Sequence, residues 1–280
     1  MEDSFLREFI LRSLAEDIGE GDHSSLACIP REAVGSAKLL LKAKGVLAGI
    51  RVAREIFSTI DQDLKLQILL EDGVEVKPGE IAFLISGHQQ SILKAERLTL
   101  NIMQRMSGIA TITREYAEKL KGLKTQILDT RKTTPGFRFL EKEAVRIGGG
   151  MNHRMGLYDM IMLKDNHIDY AGGIEKAILC TRDYLIKNNL NLKVEIEARN
   201  LEEVRKILSV GCVDRIMLDN FNIQDTLTAV KEIAGRFETE SSGGITLATI
   251  RSYAECGVDF ISVGALTHHI KSLDMSLKAI

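Results

Sequence analysis

The spacing of apolar residues changes along the chain, and each change predicts a different kind of structure. An apolar series from Phe5 to Leu14 recurs at helical spacing, which predicts an amphipathic first helix. From about 34 to 86, short apolar runs alternate with turn signals. This pattern predicts a mainly antiparallel sheet with a helix near 50–60 and a hairpin at Asp72-Gly73.

A long helical stretch follows from about 88 to 120, and we expect it to break near Ser107-Gly108, where we place a domain boundary. Beyond it, strand-like apolar runs alternate with helical segments. This alternation predicts βαβ units around a parallel sheet. The strand candidates are TQILD, YDMIML, LKVEIEA, DRIMLD, RFETES and DFISVG.

Most of these candidate strands end in a polar residue or a glycine. In a closed α/β barrel such strand ends share one face, which is where barrel enzymes place their chemistry. The alternative is an open, doubly wound sheet, which expects a glycine-rich fingerprint in its first βα turn, and the sequence lacks one. The pattern therefore favours a barrel. The residues concerned are Asp129, Lys164, Glu197, Asp219, Ser242 and Gly264.

Basic residues are frequent in the loops and strand ends of one segment, residues 129–168. Two like charges about 8 Å apart repel by about 2 kcal/mol at an effective dielectric constant near 20, so a group of converging cations needs a polyanionic ligand. Arginine supplies bidentate contacts to carboxylate or phosphate, and lysine acts as a point charge. The candidates are Arg131, Lys132, His153, Arg154 and Lys164.

A second basic group in the same segment has a simpler interpretation. It is spaced along a predicted helix that also carries Glu141 and Glu143. Such cations commonly lie on a solvated helix face and pair with neighbouring acids. We therefore expect no ligand at Arg138, Lys142 and Arg146.

Glycine loops and acids follow the later strands. Backbone N–H groups in Ser242-Gly243-Gly244 and in Val263-Gly264-Ala265 could cradle a phosphate, although each motif is also compatible with an ordinary tight turn. Glu197 and Asp219 end neighbouring strands. They could hold Mg²⁺ together with phosphate oxygens, bind ribose hydroxyls, or form ion pairs with nearby cations.

Composition limits the class of protein. The chain is 45% hydrophobic and 27% charged with a net charge of −2, so no overall field attracts it to nucleic acid or to a membrane. No apolar run approaches the ~18 residues of a membrane span, and the N-terminus does not resemble a signal peptide. The four cysteines form no CxxC motif. We expect reduced, mostly buried thiols and a cytoplasmic protein.

At DTRKTTPG, GGGxNHRxGLYDxxxxKDNHI, LDN and SGGI the sequence resembles the quinolinate phosphoribosyltransferase family, also called nicotinate-nucleotide pyrophosphorylase (carboxylating). The resemblance covers almost the whole chain. It implies an N-terminal α/β sandwich domain over residues 1–108, on which residues 271–280 pack, and an incomplete parallel α/β barrel over residues 109–270. It also implies a homodimer that uses Mg²⁺.

The resemblance further implies that the chain joins quinolinate to phosphoribosyl pyrophosphate and yields nicotinate mononucleotide, pyrophosphate and carbon dioxide. Arg97 would reach into the partner subunit's site, Glu197 and Asp219 would lie near the ribose and the metal, and no nucleic acid or membrane partner is expected. The expected substrate-binding residues are Arg97, Thr130, Arg131, Lys132, His153, Arg154, Lys164, Glu197 and Asp219. The expected catalytic residues are Lys132, Lys164, Glu197 and Asp219. The expected phosphate-binding residues are Ser242, Gly243, Gly244, Val263, Gly264 and Ala265.

Two departures and three rival functions remain at the level of sequence. His23 replaces a residue that is usually aliphatic in the family, and VGCVDRIMLDN is one residue longer than is common, so either Glu195 or Glu197 could be the functional acid. A Schiff-base aldolase would use Lys164 as its nucleophile. A non-catalytic phosphometabolite-binding protein and the family's molybdenum-associated paralogue are the other rivals.

Overall fold

The structure is a computed structural model that describes residues 2–280, with side chains from Ser4 onward. The helices are α1 (Glu2–Ile18), α2 (His23–Cys28), α3 (Ile50–Ile60), α4 (Gln89–Lys119), α5 (Arg138–Ile147), α6 (Asp165–Ala171), α7 (Ile174–Lys187), α8 (Leu201–Val210), α9 (Ile223–Ile233), α10 (Ile250–Glu255) and α11 (Ala265–His268). The strands are β1 (Val34–Leu41), β2 (Gly45–Val46), β3 (Lys65–Ile68), β4 (Glu75–Val76), β5 (Ile81–His88), β6 (Gln126–Leu128), β7 (Ile161–Leu163), β8 (Val194–Ala198), β9 (Arg215–Asp219), β10 (Glu238–Ser242), β11 (Phe260–Ser262) and β12 (Met275–Ala279).

The chain divides into two compact units. The first contains the chain up to Arg114 together with residues 134–149 and 269–280, and the second contains residues 115–133 and 150–268. Each unit has its own sheet and its own core.

The first unit is built on a four-stranded antiparallel sheet in the order β12-β1-β5-β3. Leu39 of the central strand β1 pairs with Phe83 on one side and with Leu277 on the other. Leu39 and Phe83 are fully buried, and Phe57 of α3 meets Phe83 edge-on with ring centroids 5.7 Å apart. Aromatic pairs favour this geometry, so α3 packs directly on the sheet. The predicted antiparallel sheet and the helix near 50–60 are both present.

The hairpin predicted at Asp72-Gly73 is wrong. β3 pairs with β5, and β4 pairs with β2, so the strands on either side of the turn lie in different sheets. Asp72 instead accepts the amide N–H of Ile50 at 2.9 Å, at the start of α3. The N-cap residue of that helix, Gly49, has no side chain to do this. Burial raises the pKa of Asp72, which is offset in part by the helix amides.

The break predicted at Ser107-Gly108 is also wrong, because α4 runs through it without interruption. The Ser107 hydroxyl donates to the carbonyl of Ala48 at 3.1 Å and accepts its amide at 2.9 Å. Gly108 packs so closely against the backbone carbonyl of Lys271 that a Cβ would collide with it. Ser107 and Gly108 therefore pack α4 against neighbouring segments of the chain and do not end the helix. The predicted domain boundary lies within α4.

The second unit is built on a six-stranded parallel sheet in the order β6-β11-β10-β9-β8-β7. Each strand candidate from the sequence overlaps one of these strands, so the six predictions are confirmed, although β10 extends one residue beyond RFETES. Every residue of β8 is buried, as is typical of a parallel strand with both faces covered. β6 and β7 stand at the two edges of the sheet, and β6 makes a further bridge to Met151. The barrel is therefore incomplete, as expected.

Three smaller expectations need correction or comment. Lys142 does not lie on a solvated helix face but is fully buried, because α5 buries Leu140 and Ala144 around it. The cysteines carry free thiols, but only Cys256 is buried, while Cys28, Cys180 and Cys212 are exposed. Across residues 2–280, no helix combines the length and the apolar character that a membrane span requires.

Candidate active site

A cleft of about 580 Å³ opens where the strands of the second unit end. Its walls come from the carboxyl ends of five strands and from the segments that follow β6 and precede β7. Barrel enzymes place their reacting groups at this face. The lining residues are Thr130, Arg131, Lys132, His153, Arg154, Met162, Lys164, Glu197, Met217, Asp219, Asn220, Glu240, Ser242, Gly243, Gly244 and Ser262.

The cleft gathers most of the residues singled out from the sequence. All five candidate cations, both candidate acids, Thr130 and the first glycine loop line it. Four candidates are not among its lining residues. Arg97 is an exposed residue of α4 in the first unit, and the other three are Val263, Gly264 and Ala265.

Two arginines dominate the positive wall of the cleft. Arg131 is half-buried, and its Nε is buried with no hydrogen-bond partner among the residues that the structure describes. Arg154 is 9% exposed and donates from Nη1 to the carbonyl of Met160 at 3.2 Å. Burial lowers the pKa of Arg154, and the nearby charge of Arg131 lowers it further. This like-charge pair is costly unless an anion enters the cleft.

Lys132 is held at the rim of the cleft through its backbone. Its amide donates to the hydroxyl of Thr130 at 3.0 Å, and its carbonyl accepts the hydroxyl of Thr267 at 2.8 Å. The side chain is exposed and passes so close to Gly264 that a Cβ there would lie 3.0 Å from its Cδ. Gly264 therefore borders Lys132, although it is not among the lining residues.

Glu197 is tied to Lys164 and to the start of α6. Its Oε1 accepts Nζ of Lys164 at 2.8 Å, and its Oε2 accepts the amide of Asp165 at 3.1 Å. Glu195 lies on the same strand but deeper, where it is fully buried. Of these two glutamates, only Glu197 lines the cleft.

Asp219 and the first glycine loop are joined by a residue that the sequence analysis did not select. Asn220 donates from Nδ2 to Asp219 at 2.8 Å and from its amide to the carbonyl of Ser242 at 2.8 Å. Its backbone is left-handed with φ of 56°, and its side chain fills the space that a Cβ on Gly243 would need. Burial raises the pKa of Asp219, and the charge of Glu197 adds to this effect.

His153 connects the cleft to buried carboxylates. Its Nε2 lies 2.8 Å from Oε2 of Glu195 and 3.4 Å from Oε2 of Glu240. Burial alone would lower the pKa of His153, but the two carboxylates outweigh it and raise this pKa to about 9. Burial together with the charge of Glu240 raises the pKa of Glu195 to about 7. The cluster therefore binds protons more tightly than its separate groups would.

The position of those protons follows from the other imidazole nitrogen. The amide N–H of Arg154 donates to Nδ1 of His153 at 2.7 Å, which requires a lone pair on Nδ1. The neutral imidazole therefore carries its proton on Nε2, the nitrogen that lies 2.8 Å from Oε2 of Glu195. Any extra proton lies on the carboxylate side of the cluster. Asp129, also buried, accepts the amide of His153 at 2.9 Å and fixes the backbone there.

Five lining residues were missed at the level of sequence. Asn220 belongs to the LDN motif, and that motif was its only signal. Met162 and Met217 are buried strand residues with no polar group to mark them. The two others lie in inward-facing strand positions that only the register of the sheet reveals, and they are Glu240 and Ser262.

Fold and cleft together define an α/β-barrel protein that binds a polyanionic ligand at the carboxyl ends of its strands. Family models give this class a narrower identity. The N-terminal domain of quinolinate phosphoribosyl transferase matches residues 22–107, and the C-terminal domain matches residues 109–278. The chain belongs to the quinolinate phosphoribosyltransferase family.

Individual relatives agree with the family models. The chain is 45% identical over 288 residues to a mitochondrial decarboxylating quinolinate phosphoribosyltransferase of Nicotiana tabacum, covering 98% of this chain and 82% of that one. It is 42% identical over 270 residues to a probable carboxylating nicotinate-nucleotide pyrophosphorylase of Synechocystis, covering 95% and 90%. The solved nicotinate-nucleotide pyrophosphorylase of Francisella tularensis superimposes with a TM-score of 0.92 at 39% identity, covering 99% and 96%.

Proposed function

We propose that this chain transfers the phosphoribosyl group of phosphoribosyl pyrophosphate to quinolinate and releases carbon dioxide, giving nicotinate mononucleotide for NAD biosynthesis. Relatives that match nearly its whole length are named for this activity. The observation that carries the proposal is the cleft itself, where Arg131 and Arg154 stand together and Arg131 keeps a buried, unpartnered Nε. Two carboxylates on one flat ring would satisfy this pair.

The shape and lining of the cleft fit both substrates. Met162 and Met217 give its inner wall an apolar surface, and thioethers contact aromatic rings favourably. Gly243 and Gly244 have φ of 95° and 61°, which turns their backbone toward the left-handed region, so their amides can face a phosphate. We assign the pyridine ring to the inner wall and the 5′-phosphate to this glycine loop.

In the proposed reaction, pyrophosphate leaves the anomeric carbon of the ribose, which gains oxocarbenium character. The quinolinate nitrogen attacks this carbon, and the carboxylate beside the nitrogen then leaves as carbon dioxide because the ring has become positively charged. The electron pair of the broken bond stays on the ring carbon, which takes up a proton from water. Arg131 and Arg154 hold the dicarboxylate, while Lys132 and Lys164 stabilise charge on the departing oxygens. The protein acts by positioning and by electrostatic stabilisation.

We propose Mg²⁺ as the cofactor, since it would neutralise charge on the pyrophosphate. The two predicted ligands fit it unequally. Both oxygens of Glu197 already accept protein donors, from Lys164 and from the amide of Asp165. Asp219 has one oxygen engaged by Asn220. Mg²⁺ is usually bound through one or two carboxylates plus substrate phosphates and water, so Asp219 is the better protein ligand and Glu197 the orienting residue for Lys164.

We also propose that the chain acts as a homodimer. Arg97 is exposed on α4 and is not among the residues that line the cleft of its own chain. In a dimer it would complete the cation set of the neighbouring cleft. Free thiols at all four cysteines fit a reducing compartment, and we propose the cytoplasm.

One assay tests the activity. Purified protein is mixed with quinolinate, phosphoribosyl pyrophosphate and Mg²⁺, and nicotinate mononucleotide is measured by chromatography. We expect product that depends on all three additions. Tight quinolinate binding without product would support a non-catalytic binding protein instead. Trapping of a carbonyl substrate on Lys164 by borohydride would support the aldolase.

A further inference from the structure

The barrel core beneath the cleft holds ionisable groups that the proposed reaction does not use. Glu195 and Glu240 are fully buried, and Arg215 is 8% exposed. They lie on the neighbouring strands β8, β10 and β9, and with His153 we call them the core charge cluster. Removing ions from water is costly, and a well-packed apolar core would avoid that cost. The cluster therefore needs an explanation other than stability.

A chain of contacts leads from Arg215 to the cleft. Nη1 of Arg215 donates to Oε2 of Glu240 at 3.0 Å, and this same oxygen lies 3.4 Å from Nε2 of His153. Oε2 of Glu195 lies 2.8 Å from that nitrogen. His153 lines the cleft, so this series of contacts ends at a wall of the site.

Arg215 is itself fixed on three sides. Its Nε and Nη2 donate to Oε2 of Glu238 at 3.2 and 3.0 Å, and its guanidinium lies 3.9 Å from the centroid of the Phe260 ring. An arginine held by three hydrogen bonds and stacked on an aromatic ring has little freedom to move. Arg215 therefore holds Glu240 in one orientation, and Glu240 in turn holds the imidazole.

The imidazole passes this constraint on to Arg154. Nδ1 of His153 accepts the amide N–H of Arg154 at 2.7 Å. His153 thus bridges the buried carboxylates and the backbone from which the Arg154 side chain extends. Glu240 borders the deepest part of the cleft, but a carboxylate there would repel a dicarboxylate, so it can only act through its neighbours.

The cluster does not require a metal ion to explain it. His153, Glu195 and Glu240 offer ligand atoms within 4.8 Å of one another, which is a spacing that a metal could use. Arg215 already supplies a cation to Glu240, however, and Nε2 of His153 lies 2.8 Å from Oε2 of Glu195. The cluster therefore contains its own counter-charge, and a metal ion is not needed to explain why these groups lie together.

We propose that Glu240 and Arg215 are positioning residues, which hold His153, and through it Arg154, in the orientation that binds the carboxylates of quinolinate. This inference rests on the proposed function. It adds to the site two residues, Glu240 and Arg215, that contact neither substrate in the proposed reaction. The effect should be specific to quinolinate, because the glycine loop proposed to bind the phosphate of phosphoribosyl pyrophosphate is held by different contacts, those of Asn220 with Asp219 and Ser242.

The test removes both charges together, since a paired deletion leaves no unpaired buried ion. The variants are Glu240→Gln and the double variant Arg215→Met/Glu240→Gln. The matched control is Arg205→Met/Glu232→Gln. It removes a bidentate arginine–glutamate pair that joins α8 to α9 through hydrogen bonds of 2.9 and 2.7 Å, and this pair is far more exposed to water than the core charge cluster. Thermal midpoint, quinolinate affinity by calorimetry, kcat, and KM for each substrate are measured.

We expect the double variant to fold, with KM and Kd for quinolinate raised at least ten-fold and KM for phosphoribosyl pyrophosphate changed less than two-fold. The control should match wild type in all four kinetic and binding values. Wild-type quinolinate affinity in a folded double variant overturns the proposal, as does an equal rise in both KM values. If the double variant does not fold, the single variant Glu240→Gln, which keeps Arg215, is judged by the same criteria. If Glu240→Gln does not fold either, the cluster serves stability alone and the proposal is overturned. Loss of wild-type turnover itself, with quinolinate binding retained, would refute the proposed function and not this inference.

Discussion

Two arginines in the same barrel unit have opposite surroundings. Arg215 lies in the core, where it donates to Glu238 and Glu240 and stacks on Phe260. Arg131 lies in the cleft, where its Nε is buried without a partner among the residues that the structure describes. Burial is costly for both cations, but only Arg215 recovers that cost within the protein.

The difference separates charges that hold the protein together from charges that bind a ligand. A cation whose counter-charge is internal changes stability when it is removed. A cation whose counter-charge must come from outside changes binding when it is removed, and its loss can even relieve repulsion in the empty site. Substitution of Arg131 should therefore change binding without lowering stability, whereas substitution of Arg215 should lower stability in addition to its effect on quinolinate binding.

The largest effect is expected for Arg131→Ala on activity. A charge-assisted hydrogen bond contributes about 1.5–3 kcal/mol, so losing a bidentate pair would cost about 3–6 kcal/mol in transition-state binding. We expect turnover at least a hundred-fold lower, with an unchanged thermal midpoint. Arg146→Ala, on the exposed side of α5, serves as the control and should retain activity. Activity near wild type in Arg131→Ala would remove this residue from the mechanism.

A clear loss of stability is expected for Arg215→Met alone. This substitution leaves Glu240 fully buried without its guanidinium partner, and breaking one side of a buried pair costs about 3–5 kcal/mol. Urea denaturation should show a lower free energy of unfolding by about that amount. Restoring charge balance with Arg215→Met/Glu240→Gln should recover most of it. A single variant as stable as wild type would show that the core pair has no stabilising role.

The core charge cluster should also make stability depend on pH. The two buried carboxylates raise the pKa of His153 to about 9 from the ordinary 6.5, so between these values the folded cluster binds more protons than the same groups in the unfolded chain, whichever group carries them. The resulting stabilisation is complete below pH 6.5 and is lost as pH rises through 9, with a slope of at most about 1.4 kcal/mol per pH unit. Chemical denaturation from pH 6 to 9.5 should show this fall for wild type and a flatter profile for His153→Gln. Parallel profiles would contradict the assignment.

The residues of the cleft were more predictable from the sequence than those of the core charge cluster, and the reason is physical. Arg131 and Lys164 follow strands, and the carboxyl ends of parallel strands must share an edge, so local pattern alone brings them together. Arg215, Glu240 and His153 meet only through the strand register and the inward direction of their side chains. Nothing in DRIMLD or RFETES indicates which polar residues turn inward, and those strands read as ordinary half-polar segments.

The two wrong predictions about the fold have a similar origin. Asp72-Gly73 and Ser107-Gly108 carry genuine local turn signals, but distant partners decided the outcome at both places. Asp72 caps a helix that begins 22 residues earlier, and Gly108 makes room for the carbonyl of Lys271. Glycine and aspartate determine which backbone conformations are locally accessible, whereas long-range packing determines which of them is adopted.

The smallest effect is expected in the glycine loop, and it tests whether the cleft contains two separable binding regions. Gly243 has φ of 95° and packs against Asn220 with no space for a Cβ, whereas Gly244 has φ of 61° and no atom within 4 Å of that position. Both substitutions by alanine strain the backbone, but only Gly243→Ala displaces Asn220 and with it Asp219. We expect Gly243→Ala to raise KM for phosphoribosyl pyrophosphate about ten-fold, or about 1.4 kcal/mol, with quinolinate affinity unchanged. Gly244→Ala, the matched control for strain alone, should change that KM less than three-fold. Equal effects of the two substitutions, or a loss of quinolinate affinity in Gly243→Ala, would mean that the phosphate loop and the cationic wall respond as one region, and the division between them would have to be abandoned.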